Sequence, residues 1–307
     1  MRGISVVTKV GVVATVVSIS VLSTGVARAT PPSGGVQLKD LARAQAVESA
    51  SVPIKPGTTL VSGAYTLAPG GETGWRRLPG AAVLAVTKGT MTVRRADGCS
   101  AKNYALGQAS VVPGGTYLIE NAGKEPLELY GVFFDQDRGA PKPLVEGATA
   151  AAPTKCAAGF RAASAPTGVS MAGHEAATMM PGMFGNGAKL DIEAGKDVFV
   201  GFLDLSPGFS SGWLTHLPAV NIVSGGVLSY VMARDGKCDT SEKYDAGQAF
   251  FHPAHRHMAF NEGKDDVLLT TMYVNLPHDT NPAPVVGNTI AADDFTQAPP
   301  ADCPRLR

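Results

Sequence analysis

Apolar residues along this chain fall in short runs separated by Gly, Pro and Asp-Gly punctuation. Leu60–Leu67, Val83–Thr87, Thr90–Arg94, Ser110–Val112, Tyr117–Glu120 and Leu127–Asp135 form a first set. Val198–Leu205, Asn221–Val223, Val227–Met232, Ala249–His252, Met258–Asn261 and Val267–Val274 form a second. Many short strands at this spacing predict a sandwich or barrel. Val36–Glu48 differs: Leu38, Leu41, Ala42 and Ala46 recur at helical spacing, which predicts a short helix packed on the first domain. Thr30–Gly35 reads as a flexible lead, Ala148–Pro153 and Ala162–Thr167 as the linker region, and Ala291–Arg307 as a polar tail.

The two sets are copies of one another. The first copy carries Pro69-Gly70-Gly71, Gly74-Trp75, Gly89, Asp97-Gly98-Cys99, Tyr104, Gly107-Gln108-Ala109, Pro113 and Asn121. The second carries Pro207-Gly208, Gly212-Trp213, Gly226, Asp235-Gly236-Lys237-Cys238, Tyr244, Gly247-Gln248-Ala249, Pro253 and Asn261. From Tyr104/Tyr244 to Asn121/Asn261 the offset is a constant 140. A repeat this long marks a duplicated domain, with boundaries expected at 30–160 and 161–307.

Residues 1–29 read as a secretory signal. A basic start (Arg2, Lys9) precedes an apolar run from Val10 to Leu22 and a small-x-small site at Ala27-Arg28-Ala29. The expected destination is therefore secreted, with no membrane attachment after cleavage. Removing the signal takes away three basic residues and no acidic one, which leaves 23 basic against 26 acidic side chains, a net −3. That balance gives nucleic acid no electrostatic foothold. The 36 glycines and 22 prolines suit a turn-rich β protein.

Export makes disulfides plausible. Cys99 and Cys238 occupy matching places, and Cys156 and Cys303 each follow the end of a copy. The economical pairing is Cys99–Cys156 and Cys238–Cys303, one bridge per domain tail.

The landmark order resembles the cupin superfamily. Its first motif is Gly, five residues, His-x-His, three or four residues, Glu, six residues, Gly. Its second is Gly, five residues, Pro-x-Gly, two residues, His, three residues, Asn. The likeness spans nearly the whole mature chain. It implies an all-β fold of two tandem jelly-roll barrels.

Against that pattern the first copy is degenerate. Arg76-Arg77-Leu78 stands where His-x-His belongs, Ala82 stands for the Glu, and Tyr117 stands for the last His. No family-type metal is expected there. Strand parity points Arg76 and Leu78 inward, so Arg76 beside Tyr117 offers a clamp for a carboxylate or phosphate. The bland alternative is a degenerate barrel mouth. The second copy reads Leu214-Thr215-His216, with Ala219 or Val220 for the Glu, and keeps His257 four residues before Asn261.

His216 and His257 supply two donors in the family geometry, and His255 or His252 offers a third. A divalent transition metal in the second barrel needs about three such donors; the alternative is a solvated His-rich turn. Trp213 is a candidate ligand platform, although it and Trp75 also suit packing at the mouths. His174 and His278 read as surface residues. Met171, Met179, Met180 and Met183 read as flexible core filling. Asp204, Asp265 and Asp266 suggest no carboxylate dyad, and no Ser-His-Asp order, phosphate loop or dinucleotide fingerprint is present.

Three functions stay open. The first is a bicupin that binds a small polar molecule, such as a sugar or organic acid. The second is a metal-dependent oxidoreductase or isomerase acting in the second barrel. The third is a structural pseudo-dimer without ligand. The expected assembly is a monomer or a homodimer.

Overall fold

The computed structural model describes residues 35–138, 142–156, 165–181, 188–234, 237–278 and 303. The expected signal and lead, Met183, and the tail apart from Cys303 lie outside the described residues. So does the side chain of His216.

In the first copy, β1 (Val36–Ala46), β2 (Ala50–Pro53), β3 (Thr59–Glu72), β4 (Arg76–Leu78) and β5 (Ala82–Lys88) are followed by β6 (Thr90–Arg95), β7 (Ser100–Ala105), β8 (Gln108–Val112), β9 (Gly115–Glu120) and β10 (Leu127–Gln136). The second copy repeats the series. It runs β11 (Thr167–Met179), β12 (Lys189–Ile192), β13 (Asp197–Leu205), β14 (Ser210–His216), β15 (Ala219–Gly225), β16 (Val227–Arg234), β17 (Lys237–Asp245), β18 (Gln248–His252), β19 (His255–Phe260) and β20 (Val267–Leu276).

Each copy folds strands into two facing layers. In the first the orders are β3-β10-β5-β8 and β4-β9-β6-β7, joined where Glu72 of β3 pairs with Glu120 of β9; in the second they are β13-β20-β15-β18 and the separate sheet β14-β19-β16-β17. Strands that cross between two such layers in this way define the jelly roll. The molecule is thus all-β, with two tandem jelly-roll barrels.

The expected N-terminal helix is not formed; β1 is a strand. It pairs antiparallel with β13 of the other copy from Val36↔Leu205 to Gln45↔Asp197. Burial alternates at Ala42, Ala44 and Ala46. Ala, Leu, Lys and Arg favour a helix only weakly, and the open edge of β13 overrides that preference. The exchange is reciprocal, because β11 pairs antiparallel with β3 of the first copy. Short parallel contacts, β1 with β8 and β11 with β18, complete the circuit. Ten strands therefore close one hydrogen-bonded ring: β3-β10-β5-β8-β1-β13-β20-β15-β18-β11.

Both faces of the ring are buried along strands such as β5, β8, β10, β15 and β18. Val83, Ala85 and Val132 face a shared core with Val198, Val200, Val220, Ile222 and Met272. Their neighbours Leu84, Val86, Leu129 and Phe133 face the interior of the first barrel. Leu205, Val223, Phe250 and Leu269 face the interior of the second. Strands buried on two faces read as continuous apolar runs. The methionines are divided among these cores, with Met179 in the shared one, Met171 against the first barrel and Met180 against the second.

Repeat landmarks hold turns and sheet seams. Gly89 and Gly226 have φ of 76° and 67°, and a Cβ there meets the carbonyl oxygens of Pro126 and Asp266 at 3.0 and 2.7 Å. The side-chain amide of Asn121 donates to Leu67 O and Glu125 O, and that of Asn261 to Leu205 O and Asp265 O. Two disulfides join Cys99 to Cys156 and Cys238 to Cys303, with Cα separations of 5.3 and 5.1 Å.

The ring carries one deeply placed charge. Asp197 is 1% exposed. Arg43 of β1 donates to it at 2.8 Å, and His278 Nδ1 lies 2.7 Å from its other oxygen. His278 and His174 are both exposed at the surface, and His278 is in addition tied to the seam. Arg43→Ala is expected to lower the unfolding free energy by about 3 kcal/mol, because it removes a partner from a buried carboxylate. Urea denaturation measures this, and a loss under ~1 kcal/mol counts against the seam pair as a stabilising element.

Candidate functional site

The two barrels differ most where β6, β7 and β8 come together. In the first, Val93, Lys102, Ser110 and Val112 border a cavity of about 850 Å³. The segment Glu48–Pro53 crosses over it, held by the pairing of β2 with β12. Glu48 Oε1 accepts from Lys102 Nζ at 2.5 Å and from Tyr104 OH at 2.7 Å. Burial raises the Tyr104 phenol well above its ordinary range, so it remains a donor. At the rim, Lys55 Nζ donates to Asp135 at 2.6 Å, and Arg95 forks onto Asp97 at 3.1 and 2.6 Å. The Arg95 hydrogen bond holds the Asp97 carboxyl below its usual range.

Arg76 and Tyr117 lie elsewhere in the first barrel. Arg76 and Leu78 do point inward while Arg77 is exposed, as strand parity requires. Arg76 Nε donates to Thr73 O and Nη1 to Gly147 O, both at 2.8 Å. These bonds fasten the segment after β10 onto β4, where Arg77 N and Ala150 N extend the contact. Tyr117 pairs opposite Arg76, and its hydroxyl donates to Pro113 O at 2.5 Å. Neither residue borders the cavity.

At the equivalent places the second barrel has Tyr230, Glu242, Phe250 and His252. The strand register makes this correspondence explicit: Val93 pairs with Lys102, and Tyr230 with Glu242. Tyr244 stacks on Phe250 at 3.8 Å. Tyr230 meets His252 at 5.0 Å and His257 at 4.9 Å between ring centroids. His255 lies 4.8 Å from both His252 and His257. The Tyr244 hydroxyl donates to Glu242, whose other contact is His252 Nε2 at 3.7 Å. Aromatic side chains thus occupy positions that are small or aliphatic in the first barrel.

His252 is fully buried, and neither ring nitrogen has a hydrogen-bond partner. Burial lowers its pKa, and the nearby Glu242 offsets this only in part. His255 Nδ1 donates to Pro253 O at 2.7 Å, since a carbonyl can only accept. Burial pushes His255 down to about 4. The backbone places His216 of β14 directly opposite His255 of β19, and Leu214 opposite His257. Among the described residues no three His, Cys, Asp or Glu side chains are grouped so as to hold a metal ion. As packed, His252, His255, His257 and Glu242 therefore do not fit a shared ion. Trp213 is 1% exposed and packs with Met258 and Cys303, with Arg256 6.0 Å above its ring.

Sequence reasoning brought His252, His255 and His257 together but missed Glu48, Lys102, Ser110 and Glu242. One signal was present: Lys102 and Glu242 are equivalent positions of opposite charge, two residues before the landmark tyrosines.

No protein-family model matches the chain, and no curated protein matches it. Solved structures of oxalate decarboxylase from Bacillus subtilis are similar at low level. One, from a study of its Mn(II) centres, is 14% identical with a TM-score of 0.33, covering 78% of each chain. A tryptophan-to-phenylalanine variant is 15% identical with the same TM-score and coverage. The enzyme at pH 4.6 is 14% identical with a TM-score of 0.33, covering 78% of this chain and 77% of that one. The jelly-roll assignment rests on this chain's own strand pairing.

Buried imidazoles link stability to pH. Unfolded, each ionises near its ordinary value of 6.5, whereas folded His255 resists protonation down to about 4. The unfolded state binds more protons inside that window, so stability is full above it and falls as pH drops through it. In chelator-treated protein, His255→Gln is expected to flatten the fall of Tm across this window. Equal slopes for both proteins would place the ionising groups elsewhere.

Proposed function

We propose that this chain is an exported bicupin that binds a small polar ligand in its first barrel. One observation carries the reading: a cavity of about 850 Å³ lined by a buried aliphatic surface and a convergent Glu48–Lys102–Tyr104 cluster. Ligand sites combine apolar walls with a few placed polar groups in this way. The two disulfides fit an oxidising, extracellular environment. Among the described residues no helix is long and apolar enough to cross a membrane.

The second barrel supplies the test. Ser110→Phe places the residue found at Phe250 into the first cavity. A thermal-shift screen of the mature protein against monosaccharides, polyols and short carboxylic acids is expected to give at least one stabilising compound. Saturation near 100-fold over Kd stabilises by about 2.7 kcal/mol, a Tm rise of about 5 °C in a chain of this size. The rise is lost in Ser110→Phe. A screen with no stabilising compound, or one whose hits survive the plug, overturns the reading.

A second reading is a transition metal bound by the second barrel, acting in an oxidoreductase or isomerase. The buried His252, whose nitrogens make no hydrogen bond and whose Nε2 lies 3.7 Å from Glu242, is flanked by two more imidazoles and favours it. It requires the three imidazoles to turn their nitrogens toward one point, and it draws on His216, which the backbone places opposite His255. Metal analysis of untagged protein tests it: near-stoichiometric metal, lost in a His252→Ala/His257→Ala double variant, supports the reading. Equal metal content in both proteins sinks it.

A further inference from the structure

Resting on the first-barrel reading above, we infer that the cavity selects a neutral polyhydroxylated ligand, a sugar or polyol, over an organic acid. The charge layout carries this. Three cations border the cavity, Lys55, Arg95 and Lys102. Each is already held by a carboxylate, at closest distances of 2.6 Å to Asp135, 2.6 Å to Asp97 and 2.5 Å to Glu48. Two of those carboxylates, Glu48 and Asp135, themselves border the cavity. An incoming carboxylate therefore meets cations whose charge is already neutralised and faces a like charge at close range. A cationic amine meets the same obstacle beside Lys102.

A neutral diol meets no such obstacle. The Glu48–Lys102 pair sets an acceptor next to a donor, and both side chains are part-exposed, at 33% and 49%. Adjacent hydroxyls match such a pair: one donates to the carboxylate while its neighbour accepts from the ammonium, and neither charge is lost. The Tyr104 hydroxyl already donates to the same Glu48 oxygen and fixes its position. Val52, Ala81, Val93, Val111 and Val112 supply an aliphatic wall, and Ser49, Ser51, Ser100 and Ser110 border it with hydroxyls. A ring with an apolar C–H face and a hydroxyl rim satisfies both surfaces.

Calorimetric titration of the mature protein tests the choice, with neutral hexoses and linear polyols in one series and short dicarboxylates in the other. Each is run at low salt and at about 0.5 M salt, where exposed charges are screened over a few ångströms. A neutral ligand is expected to bind, to change affinity less than twofold with salt, and to weaken about tenfold in both Glu48→Gln and Lys102→Gln, which remove opposite halves of the pair. The dicarboxylates are expected not to bind the native protein. Dicarboxylate binding that falls with salt and disappears in Ser110→Phe overturns the choice of class but leaves the cavity reading standing. If neither series binds, the cavity reading and this inference fall together. A neutral ligand that binds native protein and Ser110→Phe alike sits outside the cavity, and the inference is also lost.

Discussion

The structure depends on one closed ring of ten hydrogen-bonded strands drawn equally from both copies. Each copy's first strand leaves home: β1 extends the second barrel through β13, and β11 extends the first through β3. Neither copy can then satisfy its own sheet edges or cover its own outer face. The shared core makes the same point from packing, since Val83 and Val132 meet Val200 and Val220 within one cluster. Unpaired edges are a hazard in β proteins, and closure removes them. The central ring strands are shielded on both faces, so each barrel rests on a rigid back wall. Variation falls where β8 or β18 of the ring meets β6 and β7, or β16 and β17, of the opposite sheet.

Much of this was legible in the sequence, and the reasons are specific. Ring strands such as β5, β10 and β15 are apolar on both faces and stand out as unbroken runs. The repeat landmarks are legible because they are structural. Asn121 and Asn261 staple a turn to a strand end, Gly89 and Gly226 stand where a Cβ would strike a carbonyl, and Thr73 and Ser211 accept from Ile119 N and Ala259 N through their hydroxyls. Matching positions of Cys99 and Cys238 suggested the bridges. Strands that failed to stand out are polar. In β7 only Tyr104 is buried, and most of β11 is exposed. For β1 the alternation at Ala42, Ala44 and Ala46 was present but weak, because alanine reads equally well as helix. Only the partner strand from the other copy decides between them.

The site was legible only in part, for a related reason. Motif positions report where a family places its chemistry, and in this chain those positions have largely been put to structural use. Arg76 stands where the first imidazole belongs and fastens a segment of backbone; Tyr117 caps Pro113. The cavity is made by residues outside any motif. What distinguishes the barrels is size at equivalent positions, valine against tyrosine, serine against phenylalanine, valine against histidine. A size difference between repeats has meaning only once the register shows that the side chains point inward.

The framework also explains how one barrel can remain open beside another that is filled. Removing a large buried side chain ordinarily costs about 3–5 kcal/mol, because the surroundings relax only partly. The first barrel lacks three of the rings that the second packs edge-on and tilted against one another, so it forgoes that packing. The ring wall tolerates the loss, since its apolar contacts are made on the far face and in the shared core. The open side is bordered instead by groups that accept solvation. Lys55, Lys102, Arg95, Glu48 and Asp135 keep their charges near the rim, paired and partly exposed. An apolar void would be a defect here; a cavity walled by aliphatic carbons and edged by satisfied ion pairs is a stable vessel for polar matter. Filling with rings favours stability in the second barrel, and the first has given up that contribution where a ligand of mixed character can replace it.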